Sequence, residues 1–167
     1  EAEVEPLLVH LQSFGFHMAA IDIRQNSEYH AAATTQMLKA AGLEDWDFAS
    51  WDPAKRRAFL EQELTTLRPL VPRNAKLGNE GRNVLEYFQA VADHMAAYGS
   101  EGVGKFIVSM TRDMSDLLVM YLFAREVGLL RMVAGGIHCD IAIVPLFETL
   151  NDLENAAGIM QEFLTFP

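Results

Sequence analysis

The chain has 167 residues, half of them apolar and 22% charged, so it is long enough for one domain with a sizeable core and its composition is not that of a disordered segment. A formal net charge of −10 argues against nucleic acid or an anionic membrane surface as partner, while a local arginine in a cleft can still receive an anionic substrate. Cys139 is the only cysteine, which excludes an internal disulfide and suits a reducing, cytoplasmic compartment; no apolar run approaches a bilayer-spanning length, and no signal-peptide pattern opens the chain.

The chain starts at Glu1 without a methionine and stops at Pro167 after an apolar helical pattern, which suggests cut ends. The first strand is expected over Phe14–Arg24, with Ile21 and Ile23 on one face and Asp22 and Arg24 on the other. Asn26 or Ser27 can cap a helix through about Ala41, stopped by Gly42, with Ala33, Met37 and Ala40 as its apolar stripe. Glu44-Asp45-Trp46-Asp47 reads as a solvated loop. Asp52-Pro53 then starts another helix, whose face carries Leu60, Leu64 and Leu67.

Two prolines break regular structure over Arg68–Asn74. A long amphipathic helix is expected from about Glu80 to Ala97, with Val84, Phe88, Val91 and Met95 at helical spacing. After a glycine-rich turn at 98–104 comes a second strand, Lys105–Met110, and then a helix capped by Ser115 and ended by Gly128. Residues 117–123 of that helix are apolar on every face. Such a helix needs neighbours on all sides, and three strands with a few helices would struggle to supply them, which points to a missing remainder. Gly135-Gly136 marks a turn, Asp140–Phe147 a third strand, and Asn151–Leu164 a final helix burying Leu153, Ala156, Ala157, Met160 and Leu164. The order β-α-α-α-β-α-β-α makes neighbouring strands parallel, with right-handed crossovers.

Arg24 and Glu148 are the two candidate site residues, because each ends a strand that feeds a capped helix. A guanidinium is always charged near neutrality and matches carboxylate or phosphate; burying it at a strand end is costly without an anion. The plain alternative is a structural salt bridge with Asp22 or another carboxylate. Glu148 can hold a hard divalent cation such as Mg²⁺, or simply favour the helix dipole. His138-Cys139-Asp140 lacks the spacing and the further ligands of a zinc site, and His17 reads as an interior histidine of the first strand. His10, His30 and His94 carry no motif, and Ser109 and Thr111 share a strand face that could line a pocket.

FGFHMAAIDIRQNSEYH at 14–30, then WDPAKRRAFLEQEL and TLRPLVPRN, then KFIVSMTRDMSDLL at 105–118, then VPLFETLNDLENA and GIMQEFL, together resemble bacterial- and plant-type phosphoenolpyruvate carboxylase in family order. The resemblance implies that residues 1–167 are a single internal segment of a larger enzyme. It implies a helix-rich α/β fold, part of a (β/α)8-type barrel, here with three predicted parallel strands and intervening helices.

The family joins bicarbonate to phosphoenolpyruvate, giving oxaloacetate and phosphate, with Mg²⁺ or Mn²⁺ required. By motif, Glu148 in PLFET is similar to one of the metal ligands, and Arg24 in DIRQ to an arginine that meets the substrate phosphate. The family's catalytic histidine segment, its GYSDS-type motif and its FHGRGG-type loop do not occur in this sequence. The isolated chain is therefore expected to be inactive, with no catalytic residue of its own, and to form a homo-oligomer. Two alternatives stand beside this: a standalone non-catalytic module using the 116–124 helix as an oligomer interface, and a small independent α/β enzyme acting on a phosphorylated substrate.

Overall fold

Three parallel strands with helices between them organise the computed structural model, which describes residues 4–72, 74–134 and 136–166. In chain order the elements are α1 (Val4–Phe14), β1 (Ile21–Asn26), α2 (Ser27–Ala40), a short 3-10 turn (Phe48–Ser50), α3 (Pro53–Glu63), α4 (Asn79–Tyr98), β2 (Val103–Ser109), α5 (Met114–Glu126), β3 (Leu130–Val133), β4 (Gly136–Cys139), β5 (Ala142–Pro145) and α6 (Leu150–Leu164). The sheet order is β1-β2-β5, all parallel, so β2 is central and β1 and β5 are edges. The architecture is an open α/β arc, as expected of part of a barrel wall.

Local chemistry sets the element boundaries. Asn26 caps α2 by accepting from the Tyr29 amide at 2.7 Å, and Asp52 caps α3 by accepting from the Lys55 amide at 2.9 Å, with Pro53 in the first turn. Gly42 takes φ +81° just past α2. The cap of α5 is Asp113 rather than Ser115: its carboxylate accepts from the Ser115 amide at 2.7 Å, leaving Ser115 as the second helical residue.

The first strand is shorter than its apolar run suggests. Residues 4–14 are helical and 15–20 form a turn, with Gly15 and Met18 both at positive φ; β1 begins only at Ile21. His17 is consequently an exposed turn residue, not an interior one. Ile21 and Ile23 also differ, Ile21 being 70% exposed and Ile23 packed on the core, because the β1–β2 register shifts between them. Gly104 sits at this irregularity, where an added Cβ would lie 2.2 Å from Asp22 Oδ1.

On one face of the sheet, Phe106 and Val108 of β2 are fully buried. Phe88 of α4 lies 4.9 Å from Phe106 between ring centroids, and Phe123 of α5 lies 5.6 Å from Phe88. The segment buries α5 with its own residues: Leu117, Leu118, Val119, Met120, Leu122, Phe123 and Ala124 are all at most 2% exposed. That corrects the expectation that so few elements could not enclose it, and it removes α5 as an oligomer interface. The reason is that α2, α3, α4, α6 and the sheet all pack against it. Even Arg125 is enclosed, its Nη1 donating to the Glu63 carbonyl at 2.7 Å.

Other expectations shift at the periphery. Leu67 lies beyond α3 and is exposed. α6 buries Asp152 and Ile159, while Leu153, Ala157 and Leu164 face outward. β3 and β4 pair as an antiparallel hairpin that has no counterpart in the sequence pattern, and the turn expected at Gly135-Gly136 involves Gly135, which lies outside the described residues, as does Arg73 of the 68–74 loop. Ser109 and Thr111 are 8% and 0% exposed, so neither lines an open pocket; Thr111 Oγ1 instead donates to the Val108 carbonyl at 2.8 Å.

Candidate functional site

Because β1, β2 and β5 are parallel, their C-terminal ends lie together at one end of the sheet. Arg24 lies near the end of β1, Met110 directly follows β2, and Glu148 follows β5. The structure brings these three together. Arg24 Nη2 donates to Glu148 Oε1 at 2.8 Å across 124 residues of sequence, and the Met110 amide donates to Glu148 Oε2 at 2.9 Å. Each oxygen of the carboxylate thus meets a donor on a different strand end.

The two candidates pair with each other rather than with nearer groups. Asp22 is engaged elsewhere, accepting from the Lys105 amide at 2.7 Å. Arg24 is 55% exposed at its side chain and Glu148 32%, so Arg24 is not the buried cation that its place at a strand end suggested. An ion pair this open contributes about 0–1 kcal/mol to stability, and both groups remain within reach of a ligand.

Around the pair lies a fixed frame. Thr149 forms a capping box with Asp152 at the start of α6, which sets the backbone immediately after Glu148. Arg112, two residues beyond Met110, reaches Glu28 at 3.4 Å and Asp116 at 3.6 Å, and its amide donates to Asp116 Oδ2 at 2.9 Å. Burial pushes the Asp116 carboxyl up to about 6, with the neighbouring Asp113 adding to the shift. His30, one turn into α2, is buried and neutral, its pKa lowered to about 4 by burial; its Nε2 lies 2.9 Å from the Tyr87 hydroxyl.

Glu148 suits a hard divalent cation. It offers oxygen donors, is partly open to solvent, and stands beside a guanidinium that matches phosphate. Among the described residues no group of three or more His, Cys, Asp or Glu side chains is placed to hold a metal, so this chain would supply one carboxylate and the remaining ligands would be water, substrate or residues outside it. His138 lies 3.3 Å from Asp140, which also pairs with Arg131, and forms no such cluster.

Neither Met110 nor Ser27 stands out in the sequence as a site residue. Ser27 reads there as one of two possible helix caps, and nothing in a methionine signals the left-handed backbone, φ +55°, that Met110 adopts.

The fold and this strand-end pairing define the chain as a helix-rich α/β segment of barrel-wall type. A family model described as phosphoenolpyruvate carboxylase matches residues 1–167. Three curated phosphoenolpyruvate carboxylases are similar: that of Rhodothermus marinus is 42% identical over 96% of this chain and 18% of its own length. That of Azoarcus sp. is 39% identical over 92% of this chain and 16% of its own length, and that of Synechococcus sp. 34% over 99% and 16%. The chain belongs to the phosphoenolpyruvate carboxylase family. It spans less than a fifth of the length of these relatives.

Proposed function

We propose that this chain supplies the Arg24–Glu148 corner of a phosphoenolpyruvate carboxylase active site, in an enzyme that joins bicarbonate to phosphoenolpyruvate and releases oxaloacetate and phosphate. The observation that supports this most is the meeting of Arg24 and Glu148 at 2.8 Å, since two charged groups so far apart in sequence converge where parallel strands end. Arg24 presents a planar fork to the phosphate of the substrate and holds it in register. Glu148 holds a divalent cation, Mg²⁺ or Mn²⁺, through a carboxylate that the Met110 amide orients. A cation held there would offset negative charge on the enolate oxygen left when the phosphoryl group passes to bicarbonate.

On this reading the contact between Arg24 and Glu148 is an exchangeable one. The phosphate replaces Glu148 as the partner of Arg24, and the partial exposure of both side chains leaves that exchange open. No residue of this chain is assigned as the general base or as the group that holds carbon dioxide for attack by the enolate carbon. We therefore propose that the isolated chain does not turn over and that the remaining groups come from outside it.

The test is made in the intact enzyme. Arg24→Ala is expected to raise KM for phosphoenolpyruvate with little change in the metal requirement, and Glu148→Ala to abolish saturable Mn²⁺ binding followed by calorimetry. Unchanged Mn²⁺ affinity in Glu148→Ala would exclude Glu148 as a ligand. The isolated chain is expected to show no Mg²⁺-dependent formation of oxaloacetate in a coupled assay, and measurable turnover would overturn that part of the proposal.

A further inference from the structure

At the end of β2 the backbone of Met110 takes φ +55°, a region that side chains other than glycine rarely enter. Both of its polar backbone groups are used across the site. The amide donates to Glu148 Oε2 at 2.9 Å, and the carbonyl accepts from Ser27 Oγ at 2.7 Å. Ser27 is 1% exposed, so this hydroxyl is shielded from bulk solvent.

The flanking residues are pinned as well. The Thr111 amide donates to the Leu146 carbonyl at 3.1 Å, and the Leu146 amide donates to the Val108 carbonyl at 2.9 Å. The left-handed turn is thus imposed from three directions: the start of α2, the end of β5 and β2 itself. Because the Met110 carbonyl is held by Ser27 and the Thr111 amide by Leu146, a change of φ at Met110 would have to be taken up by turning the Ser109–Met110 peptide, which carries the amide away from Glu148 and costs the carboxylate one of its two fixed donors.

We propose that Met110 is a positioning residue for Glu148, acting through its left-handed backbone and not through its side chain, with the Ser27 hydroxyl as the latch that holds it. The proposal rests on the reading of Glu148 as a metal ligand. It assigns to Met110 a role that depends on φ alone, and this makes an unusual pattern of substitutions diagnostic. Glycine and asparagine enter the left-handed region readily, whereas β-branched valine is strongly disfavoured there.

The experiment is a titration of the intact enzyme with Mn²⁺, read by the electron paramagnetic resonance of the free ion, with thermal unfolding run on every variant. Met110→Gly and Met110→Asn are expected to bind Mn²⁺ with the affinity of the parent, since both keep the amide and the turn. Met110→Val is expected to weaken binding about tenfold, as loss of an orienting partner of a metal ligand commonly does. Ser27→Ala is expected to weaken it by a few-fold, about threefold, because the latch is lost while the turn remains sterically possible.

If Met110→Gly weakens Mn²⁺ as much as Met110→Val, the side chain and not the backbone matters, and the proposal fails. Should Met110→Val not fold, Ser27→Ala decides: parental affinity in that variant overturns the latch. Glu148→Ala separates the two levels. Loss of binding in Glu148→Ala with no effect of Met110→Val or Ser27→Ala overturns the positioning role alone, whereas unchanged binding in Glu148→Ala overturns the ligand assignment and the positioning role with it.

Discussion

Arg24 and Glu148, the pair proposed to bind ligand, contribute little to folding. With side chains 55% and 32% exposed, their contact is worth about 0–1 kcal/mol, so Arg24→Ala is expected to leave the urea midpoint almost unchanged while altering ligand binding. The buried titratable groups behave differently. Asp116 has a folded pKa of about 6 against 3.8 for the free side chain, so the stability tied to its protonated form is full below pH 3.8 and is lost as pH rises through 6. Relative to Asp116→Asn, which keeps an oxygen for the Arg112 amide, the parent chain should lose on the order of 2 kcal/mol between pH 4 and pH 7, measured by urea unfolding at both. His30 runs the other way. Its folded pKa of about 4 lies below 6.5, so neutral His30 contributes stability above pH 6.5 that fades as pH falls toward 4, and its ring resonances should show a neutral imidazole down to about that pH. At this scale, Arg24 and Glu148 stand out in the sequence because a charged residue between an apolar run and a helix cap is visible as a pattern, whereas their meeting across 124 residues is not. Met110, Ser27 and His30 do not stand out as neighbours of that pair, since what sets them apart is a backbone angle, a contact across 83 residues and an enclosure by Tyr87 and Phe123.

Among the elements, α5 carries the largest share of the core. Phe123 is fully buried and lies 5.6 Å from both His30 and Phe88, so Phe123→Ala is expected to cost about 3–5 kcal/mol in urea unfolding, enough to unfold a marginal domain. α1 is the opposite case. It has no buried residue, so replacing Leu7, Leu8 and Leu11 together by glutamine should keep the Tm within about 2 °C. The starts of α2 and α3 and the 3.6-residue stripe of α4 were readable in the sequence, because caps and helical periodicity are local. The β3–β4 hairpin and the outward-facing side of α6 were not. Four-residue strands carry too short a pattern, and an apolar helix face does not say what covers it.

Among the described residues the three-stranded sheet is open, with β1 and β5 at its edges. Apolar side chains stand exposed on α1 (Leu7, Leu8, Leu11) and on α6 (Leu150, Leu153, Leu164). Unpaired strand edges beside exposed apolar faces favour self-association, while a net charge of −10 opposes it. Raising the salt from about 0.05 to 0.5 M shortens the reach of that repulsion, so the mass of the purified chain in light scattering should rise with ionic strength. A mass fixed at one protomer across this range would count against it. The open α/β class was legible from the alternation of strands and helices, but the enclosure of α5 was not, because it depends on how α2, α3 and α4 fold back over one helix.

The pairing of β1 with β2 joins residues about 83 positions apart, as the Asp22–Lys105 contact shows. During synthesis, β1 leaves the ribosome long before the strand that completes it. At about 5–20 residues per second the wait is roughly 4–16 s, far longer than a helix needs to form. Throughout that interval α2 and α3 can coil beside an unpaired strand, and the nascent chain is at its most vulnerable to capture by a chaperone or by a neighbouring copy still being translated.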